Sequence, residues 1–202
     1  VDGVEGSRST VDRAVRDLES RDLVRRADGG WEVTLAGRLL LEEYRSFRRR
    51  ATGIDAAADV LAPLPADAPI DPAVLADAEV VRSGPSTPSR PIESHLTYVR
   101  AADRVRIVTT ALSDRYVETY RTCIVERGLT VEAACLPGIV ERLVGEYSGA
   151  TGEMLDTGRF HLRELPEGPP FSHVVIEGPE TTRINLMLYS PDGACSYVGT
   201  DD

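Results

Sequence analysis

SRSTVDRAVRDLESRDLVRRADGGWEVT, running from Ser7 to Thr34, is the stretch on which the fold turns. Advancing about 100° per residue, its first half places Val11, Ala14, Val15 and Leu18 on one narrow face, as an amphipathic helix does. Gly6 breaks the preceding segment, and Ser7 stands where a hydroxyl can cap the orphan amides of a first turn. A helix is therefore expected over Ser7–Ser20. Opposite its apolar face lie Ser9, Arg13, Arg16 and Ser20, with Arg8 and Thr10 flanking at the N-terminal end. One face packs; the other offers guanidinium and hydroxyl groups. Asp22–Arg26 then reads as a short strand, Ala27–Gly30 as a tight turn, and Trp31–Thr34 as the returning strand of a hairpin.

The placement of charge sharpens the question of what that helix meets. The chain has 202 residues and a net charge of -10, and all 23 of its basic residues are arginine. Residues 1–50 hold 11 Arg against 10 Asp plus Glu, for +1, whereas residues 51–202 hold 12 against 23, for -11. Such an asymmetry suggests two parts with different jobs. An acidic, lysine-free composition is expected of a salt-adapted protein from a GC-rich organism; it favours solubility and leaves the fold open. It is weak evidence against nucleic-acid binding. A chain of this length can hold two small domains. No apolar run approaches the roughly 18–20 residues that a membrane span needs, and no signal peptide is visible, so a cytoplasmic protein is expected. The chain opens on Val1 rather than Met and stops at Asp202, so further residues are expected beyond both ends.

Leu35–Arg50 continues as a helix with Leu35, Leu39, Leu40, Tyr44 and Phe47 as its apolar positions, and Gly53–Leu64 extends or restarts it. A long amphipathic helix here is either a dimerisation element or packs only on its own domain. The tract Arg48–Arg50 is a further phosphate contact or a solvated helix end. Residues 65–95 read as a proline-rich link that wraps the second domain, with one helix-like piece at Pro72–Ala78.

Residues 96–202 read as an α/β domain. Val105–Thr109 is a buried strand, followed by a helix capped at Ser113 and stopped at Gly128. Thr130–Cys135 is a second strand, and Pro137 opens another helix. Strand–helix–strand implies parallel pairing. Arg159–Leu165, Ser172–Gly178, Arg183–Ser190 and Cys195–Gly199 look antiparallel, which makes the sheet mixed. In open α/β sheets ligands lie beyond the carboxyl ends of the parallel strands, where helix N-termini point amides at them. Those ends carry Thr109, Thr110, Ser113 and Asp114, with Arg142 a turn into the second helix. They suit an anionic or polar small molecule; the alternative is plain capping of two structural helices.

Motifs for catalysis and cofactors are lacking: no P-loop, no G-x-S-x-G elbow and no H-E-x-x-H occurs. Gly145, Gly149 and Gly152 follow no strand directly, so they read as a loop or helix end and not as a dinucleotide fingerprint. His161 and His173 could meet as a structural pair across adjacent antiparallel strands, without the carboxylate or thiol that a metal site would add. Cys123, Cys135 and Cys195 are too few and too scattered for a disulfide framework and read as reduced, partly buried thiols. Neither a metal, a cofactor nor an enzymatic reaction is expected.

A helix followed by a Gly-Gly hairpin with arginines at its base resembles the second half of the winged helix-turn-helix regulators. The resemblance implies that the helix enters the major groove of double-stranded DNA while the hairpin reaches neighbouring backbone or minor groove. Arg13 and Arg16 would pair with guanine edges or phosphates, Ser7, Arg8, Ser9 and Thr10 would contact DNA at the helix N-terminus, and Arg25 and Arg26 would touch phosphate. The alternative is an amphipathic surface helix whose arginines pair with Asp12, Asp17 and Glu19. The segment ADRVRIVTTALSDRYVETYRTCIVERGLTVEAACLPGIVERLVGEY and the later GRFHLREL and PPFSHVVIEG resemble the archaeal regulators that carry a methanogenesis-regulator (FilR-type) domain. Distantly, the same sheet is similar to the phospholipase-D-like domain of TrmB-type regulators. The His-x-Lys chemistry of that fold is ruled out here, because the nearest match is His161-Leu162-Arg163. The expectation is thus an α+β homodimeric regulator: a winged helix cut at its N-terminus (1–34), a connecting helix (35–64), a link (65–95) and an α/β domain (96–202). The α/β domain would sense a small molecule or mediate assembly. A protein–protein adaptor whose winged helix no longer binds DNA is the rival expectation.

Overall fold

A computed structural model describes residues 7–190 and 194–201; Gly6, the expected helix breaker, lies outside the described residues. Helix α1 spans Arg8–Ser20, and the Ser7 hydroxyl accepts from the Thr10 amide at 3.3 Å, as capping requires. The helix ends where Asp22 turns into the left-handed region at φ 57°, a conformation that Asp tolerates better than most residues. Leu23 N then donates back to Leu18 O at 3.0 Å. Strands β1 (Val24–Ala27) and β2 (Gly30–Val33) pair antiparallel across Asp28 and Gly29, and Gly29 supplies the positive φ of 97° that the turn needs. The hairpin is tighter than its apolar pattern suggests: β1 starts two residues later and β2 one residue earlier than expected. Thr34, expected at the end of the returning strand, instead caps helix α2 (Leu35–Leu61) by accepting from Gly37 N at 3.1 Å. Its hydroxyl also donates to Asp22 O at 2.6 Å, and a Cβ on Gly37 would meet Leu23 O at 2.0 Å. These contacts bind the start of α2 to the base of the hairpin.

Two compact units divide between Arg49 and Arg50. The second is built on a seven-stranded sheet of order β3-β9-β8-β7-β4-β5-β6. Strands β4 (Arg104–Thr109), β5 (Thr130–Cys135) and β6 (Phe160–Glu164) run parallel, and β7 (Ser172–Glu177), β8 (Thr182–Tyr189), β9 (Cys195–Asp201) and β3 (Glu79–Arg82) continue antiparallel. Helices α3 (Arg90–Arg100), α4 (Asp114–Arg127), α5 (Pro137–Val144) and α6 (Ser148–Asp156) complete the unit. Ser113 caps α4, and Gly128 ends it at φ 82°. Residues of β4 to β7, among them Val105, Val131, Phe160 and Val174, join Val117, Ile124, Leu143 and Met154 in the main core. On the other face, Leu186, Leu188 and Val198 pack with Val60, Leu64 and the 3-10 turn Pro72–Leu75. There α2 comes so close that a Cβ on Gly53 would lie 1.6 Å from Leu75 O.

Four expectations change. The strand around His161 is parallel to β5 and not antiparallel, because the glycine-rich stretch read as a loop or helix end does end α5 at Gly145 but then forms α6, which makes a βαβ crossover. His161 and His173 are consequently not neighbours: β4 and β5 lie between their strands, a separation of roughly 14 Å at normal strand spacing. The segment expected as a link holds β3, which pairs with β9, and the first half of α3, which buries His95. The helix-like piece at Pro72–Ala78 is a single 3-10 turn that stops at Leu75.

Candidate nucleic-acid interface and candidate ligand cavity

On α1, Ser7, Arg8, Ser9, Thr10, Arg13 and Arg16 are all exposed. The expected alternative, in which Asp12, Asp17 and Glu19 neutralise the helix arginines, is not what their side chains do. Arg8 and Arg13 enter no ion pair among the described residues, and Arg16 Nε donates only to the backbone oxygen of Asp12, at 3.3 Å. Ser7 Oγ lies 2.8 Å from Ser9 Oγ and 2.9 Å from Thr10 Oγ1, so three hydroxyls cluster at the positive end of the helix. The hairpin arginines differ. Arg25 is paired with Glu32 across the strands at 2.8 Å, and Arg26 stacks 4.8 Å over Trp31 while facing Glu19 at 3.9 Å. Arg25 and Arg26 are thus partly neutralised and held along the hairpin, whereas Arg8 and Arg13 are left to solvent. No residue of α1 is fully buried, and Leu18 on its apolar face is 40% exposed.

In the second unit the residues expected around the strand ends separate into two groups. Ser113 is the cap already described, and Asp114 accepts from the Tyr147 hydroxyl. That bond holds Tyr147 up at about 12. Arg142 bonds Glu146 at 2.8 Å, Leu112 O at 3.4 Å and Tyr147 Oη at 3.3 Å. Glu146 lies four residues on from Arg142, a spacing that sequence alone could have flagged. The positive charge expected for an anion is therefore already answered by carboxylates, and the group is a local clamp between α4 and α5. Thr109 and Thr110 belong to the other group. Thr109 Oγ1 donates to Ala111 O at 2.7 Å, and Thr110 N donates to Ser172 Oγ at 2.9 Å.

Thr109 and Ser172 line a cavity of about 70 Å³ that opens beneath α4, between that helix and the sheet, and not beyond the strand ends. The sheet contributes Ile107, Val131 and Ala133, the helices Leu143 and Met154, and a rim of phenols comes from Tyr116, Tyr120 and Tyr189. Tyr116 and Tyr189 hydroxyls meet at 3.3 Å, and burial pushes Tyr189 up to about 12. No carboxylate or guanidinium lines the space. His95 on α3 reaches it and is fully buried; burial brings its pKa down to about 4, so the ring is neutral at pH 7.

Behind His95 runs a chain of buried hydrogen bonds. Arg183, almost fully buried, is sandwiched between Tyr98 (3.9 Å) and Tyr197 (5.8 Å) and paired with Asp201 at 2.6 Å and Glu79 at 3.0 Å. Its Nε donates to Tyr197 Oη at 2.8 Å, Tyr197 donates to Asn185 Oδ1 at 3.0 Å, Asn185 Nδ2 lies 3.3 Å from His95 Nδ1, and His95 Nε2 lies 3.2 Å from Tyr120 Oη. Gly199 leaves room for this chain, since a Cβ there would stand 2.2 Å from Tyr197 Oη.

The sulfurs do not extend the chemistry. Cys123, Cys135 and Cys195 are buried and free, and burial pushes the thiols up, Cys135 to about 11 and Cys195 to about 12. Among the described residues no three His, Cys, Asp or Glu side chains gather as metal ligands, and no helix is long and apolar enough to cross a membrane.

The model for the middle domain of the methanogenesis regulatory protein FilR1 matches residues 88–202, more than half of the chain. A second model, for the HVO_A0261 N-terminal domain, matches residues 1–56. No curated protein matches significantly. Among solved structures the chain is similar to TrmBL2, an archaeal chromatin protein described as showing a novel mode of DNA binding. The similarity covers 98% of this chain and 76% of that one at 12% identity, with a TM-score of 0.47.

Proposed function

This chain belongs to the family of the methanogenesis regulatory protein FilR1 middle domain, and from that premise we propose that it is a DNA-binding transcription regulator. Helix α1 reads the major groove of duplex DNA, and the β1–β2 hairpin steadies the neighbouring backbone. The observation that carries this reading is the set of unpaired guanidinium groups on α1. Arg8 and Arg13 stay clear of ion pairs even though Asp12, Asp17 and Glu19 share their helix. Arginines left free beside a hydroxyl cluster at a helix N-terminus suit a polyanion. Arg25 and Arg26, already partly neutralised, suit a supporting phosphate contact.

Dimerisation is the second element of the proposal. Leu40, Tyr44, Phe47, Ala51, Ile54 and Ala58 follow alternating steps of four and three along α2, the spacing of a coiled-coil seam. Leu40, Tyr44, Phe47 and Ile54 are between 41% and 62% exposed, while Gly53 and Ala57 on another face are buried against the unit's own turn. A second copy of this chain is the partner that such a seam fits, and a dimer matches a two-fold operator. Sensing is the third element. The cavity is the place for an effector, which would act by favouring one arrangement of the paired DNA-binding units over another. The cellular setting is the cytoplasm.

Fluorescence-anisotropy titration of short duplex DNA with the full chain across a salt series tests the proposal. Each neutralised phosphate contributes about -0.9 to the slope of log K against log salt. Arg13→Ala with Arg16→Ala should flatten the slope by about 1.8 per bound protomer and weaken binding strongly, with dimerisation intact. Equal binding by both proteins, or none by either on random and promoter DNA, would overturn it in favour of an adaptor.

A further inference from the structure

We infer that the cavity beneath α4 binds a small, neutral, mostly hydrocarbon molecule carrying one hydrogen-bond-accepting oxygen, which the phenol proton of Tyr120 holds. The inference rests on the sensing part of the proposed function and names its ligand class. Its ground is the direction of the buried hydrogen-bond chain. An arginine has donors and no acceptor, so Arg183 Nε donates to Tyr197 Oη. The one proton of Tyr197 then goes to Asn185 Oδ1, which turns the Asn185 amide nitrogen toward His95 Nδ1. A neutral imidazole that accepts at Nδ1 carries its proton at Nε2, and that proton goes to Tyr120 Oη. Tyr120 Oη is thereby an acceptor, and its own proton meets no acceptor among the described residues. Buried polar groups seldom go unpaired. This one belongs to a side chain that lines the cavity.

The rest of the lining sets the ligand's other properties. Ile107, Val131, Leu143 and Met154 make the walls hydrocarbon, and no charged group is present to offset the desolvation of an ion. A volume of about 70 Å³ holds a molecule of roughly five to seven heavy atoms. This differs from the anionic ligand that the strand-end residues suggest, because Arg142 is committed to Glu146 and Tyr147.

Met154 and Met187 are the only two methionines of the chain, and both line the cavity. Methyl-labelled methionine in the full chain therefore gives two NMR signals, both reporting on this space. The probes are cyclopentanone and methylenecyclopentane, which differ in one oxygen. Cyclopentanone should shift both signals and bind roughly fivefold more tightly than the hydrocarbon, as one good hydrogen bond allows. In Tyr120→Phe the two probes should bind within about twofold of each other. Ala133→Leu, which fills the space with side chain, should retain the dispersed native signals and lose the response to both probes. Three results would overturn the inference: no shift by either probe at millimolar concentration, a ketone preference that survives Tyr120→Phe, or unchanged binding in Ala133→Leu. None of these readouts involves DNA, so they stand apart from the titration that tests the regulator. Cyclopentanone binding that leaves DNA affinity unchanged would support the site while refuting its role in sensing.

Discussion

At Gly53, helix propensity and packing pull in opposite directions, so a single methyl group reveals which dominates. Glycine inside a helix costs about 1 kcal/mol relative to alanine, and on that ground alone Gly53→Ala should stabilise α2. The added Cβ, however, would stand 1.6 Å from Leu75 O and 2.6 Å from Leu75 C, which are backbone atoms with no rotamer to change. Helix and turn must part. The contacts at risk are those of Ala57 and Leu75, 0% and 3% exposed, together with Val60 and Leu64 around them. Partial exposure of the leucine and the alanine methyl group costs about 3 kcal/mol. Set against the propensity gain, the net loss is about 2 kcal/mol, a fall in Tm of roughly 4–8 °C for a chain of this size. Gly152→Ala is the matched control: Gly152 lies inside α6, and its Cβ would meet nothing within 4 Å. That change should raise stability by about 1 kcal/mol. Differential scanning calorimetry of both variants decides. A Gly53→Ala protein as stable as wild type would refute the claim that the α2–turn contact depends on the missing side chain.

Three further perturbations address other parts of the molecule. Thr34→Val removes both the cap of α2 and the bond to Asp22 O and should cost about 1–2 kcal/mol by urea titration; no change would show that the junction does not need them. His95 is held neutral by burial with a pKa of about 4, below its ordinary 6.5, so the unfolded chain takes up a proton first as pH falls. Its contribution is intact above pH 6.5 and is lost toward pH 4, by up to about 3 kcal/mol in all. Stability curves of wild type and His95→Asn should therefore converge over that window, and parallel curves would contradict the burial argument. Phe47→Asp puts a charge on the exposed seam of α2 and should give a monomer by sedimentation equilibrium at concentrations where wild type is a dimer; a wild-type monomer would remove the premise.

What could be read from the sequence was what its neighbours in the chain decide. The α1 helix declares itself through Ser7 and four apolar residues, the hairpin through the glycine pair that closes Ala27–Gly30, and α4 through Ser113 and Gly128. Strand β3 could not be read this way, because four residues among prolines become a strand only through β9, more than a hundred positions away. Glycines at 149 and 152 disguise α6, and with it the direction of β6. The cavity was the least legible feature. His95, Tyr120, Ser172 and Tyr189 come from a supposed link, a helix and two later strands, and no local pattern joins them. Thr109 also lines the cavity, and its place at the end of β4 is the one local sign of it. The Arg142–Glu146 pair is local and legible in its spacing of four, whereas the bond from Arg142 to Leu112 O, thirty positions back, is not.

The chain from Arg183 to Tyr120 behaves like a one-way street whose sign is posted at its far end. Every group between can point either way: a phenol rotates, an amide flips, an imidazole moves its proton from one nitrogen to the other. Only the guanidinium cannot reverse, and it sits beside Glu79 and Asp201 on the outer strands β3 and β9, three links removed from the cavity. With a neutral side chain at position 183, the same four groups can settle in the opposite sense, and Tyr120 then presents lone pairs where it had presented a proton. The taste of the cavity for acceptors over donors is thus written at the start of β8, where a change of one residue can invert it without touching the cavity wall.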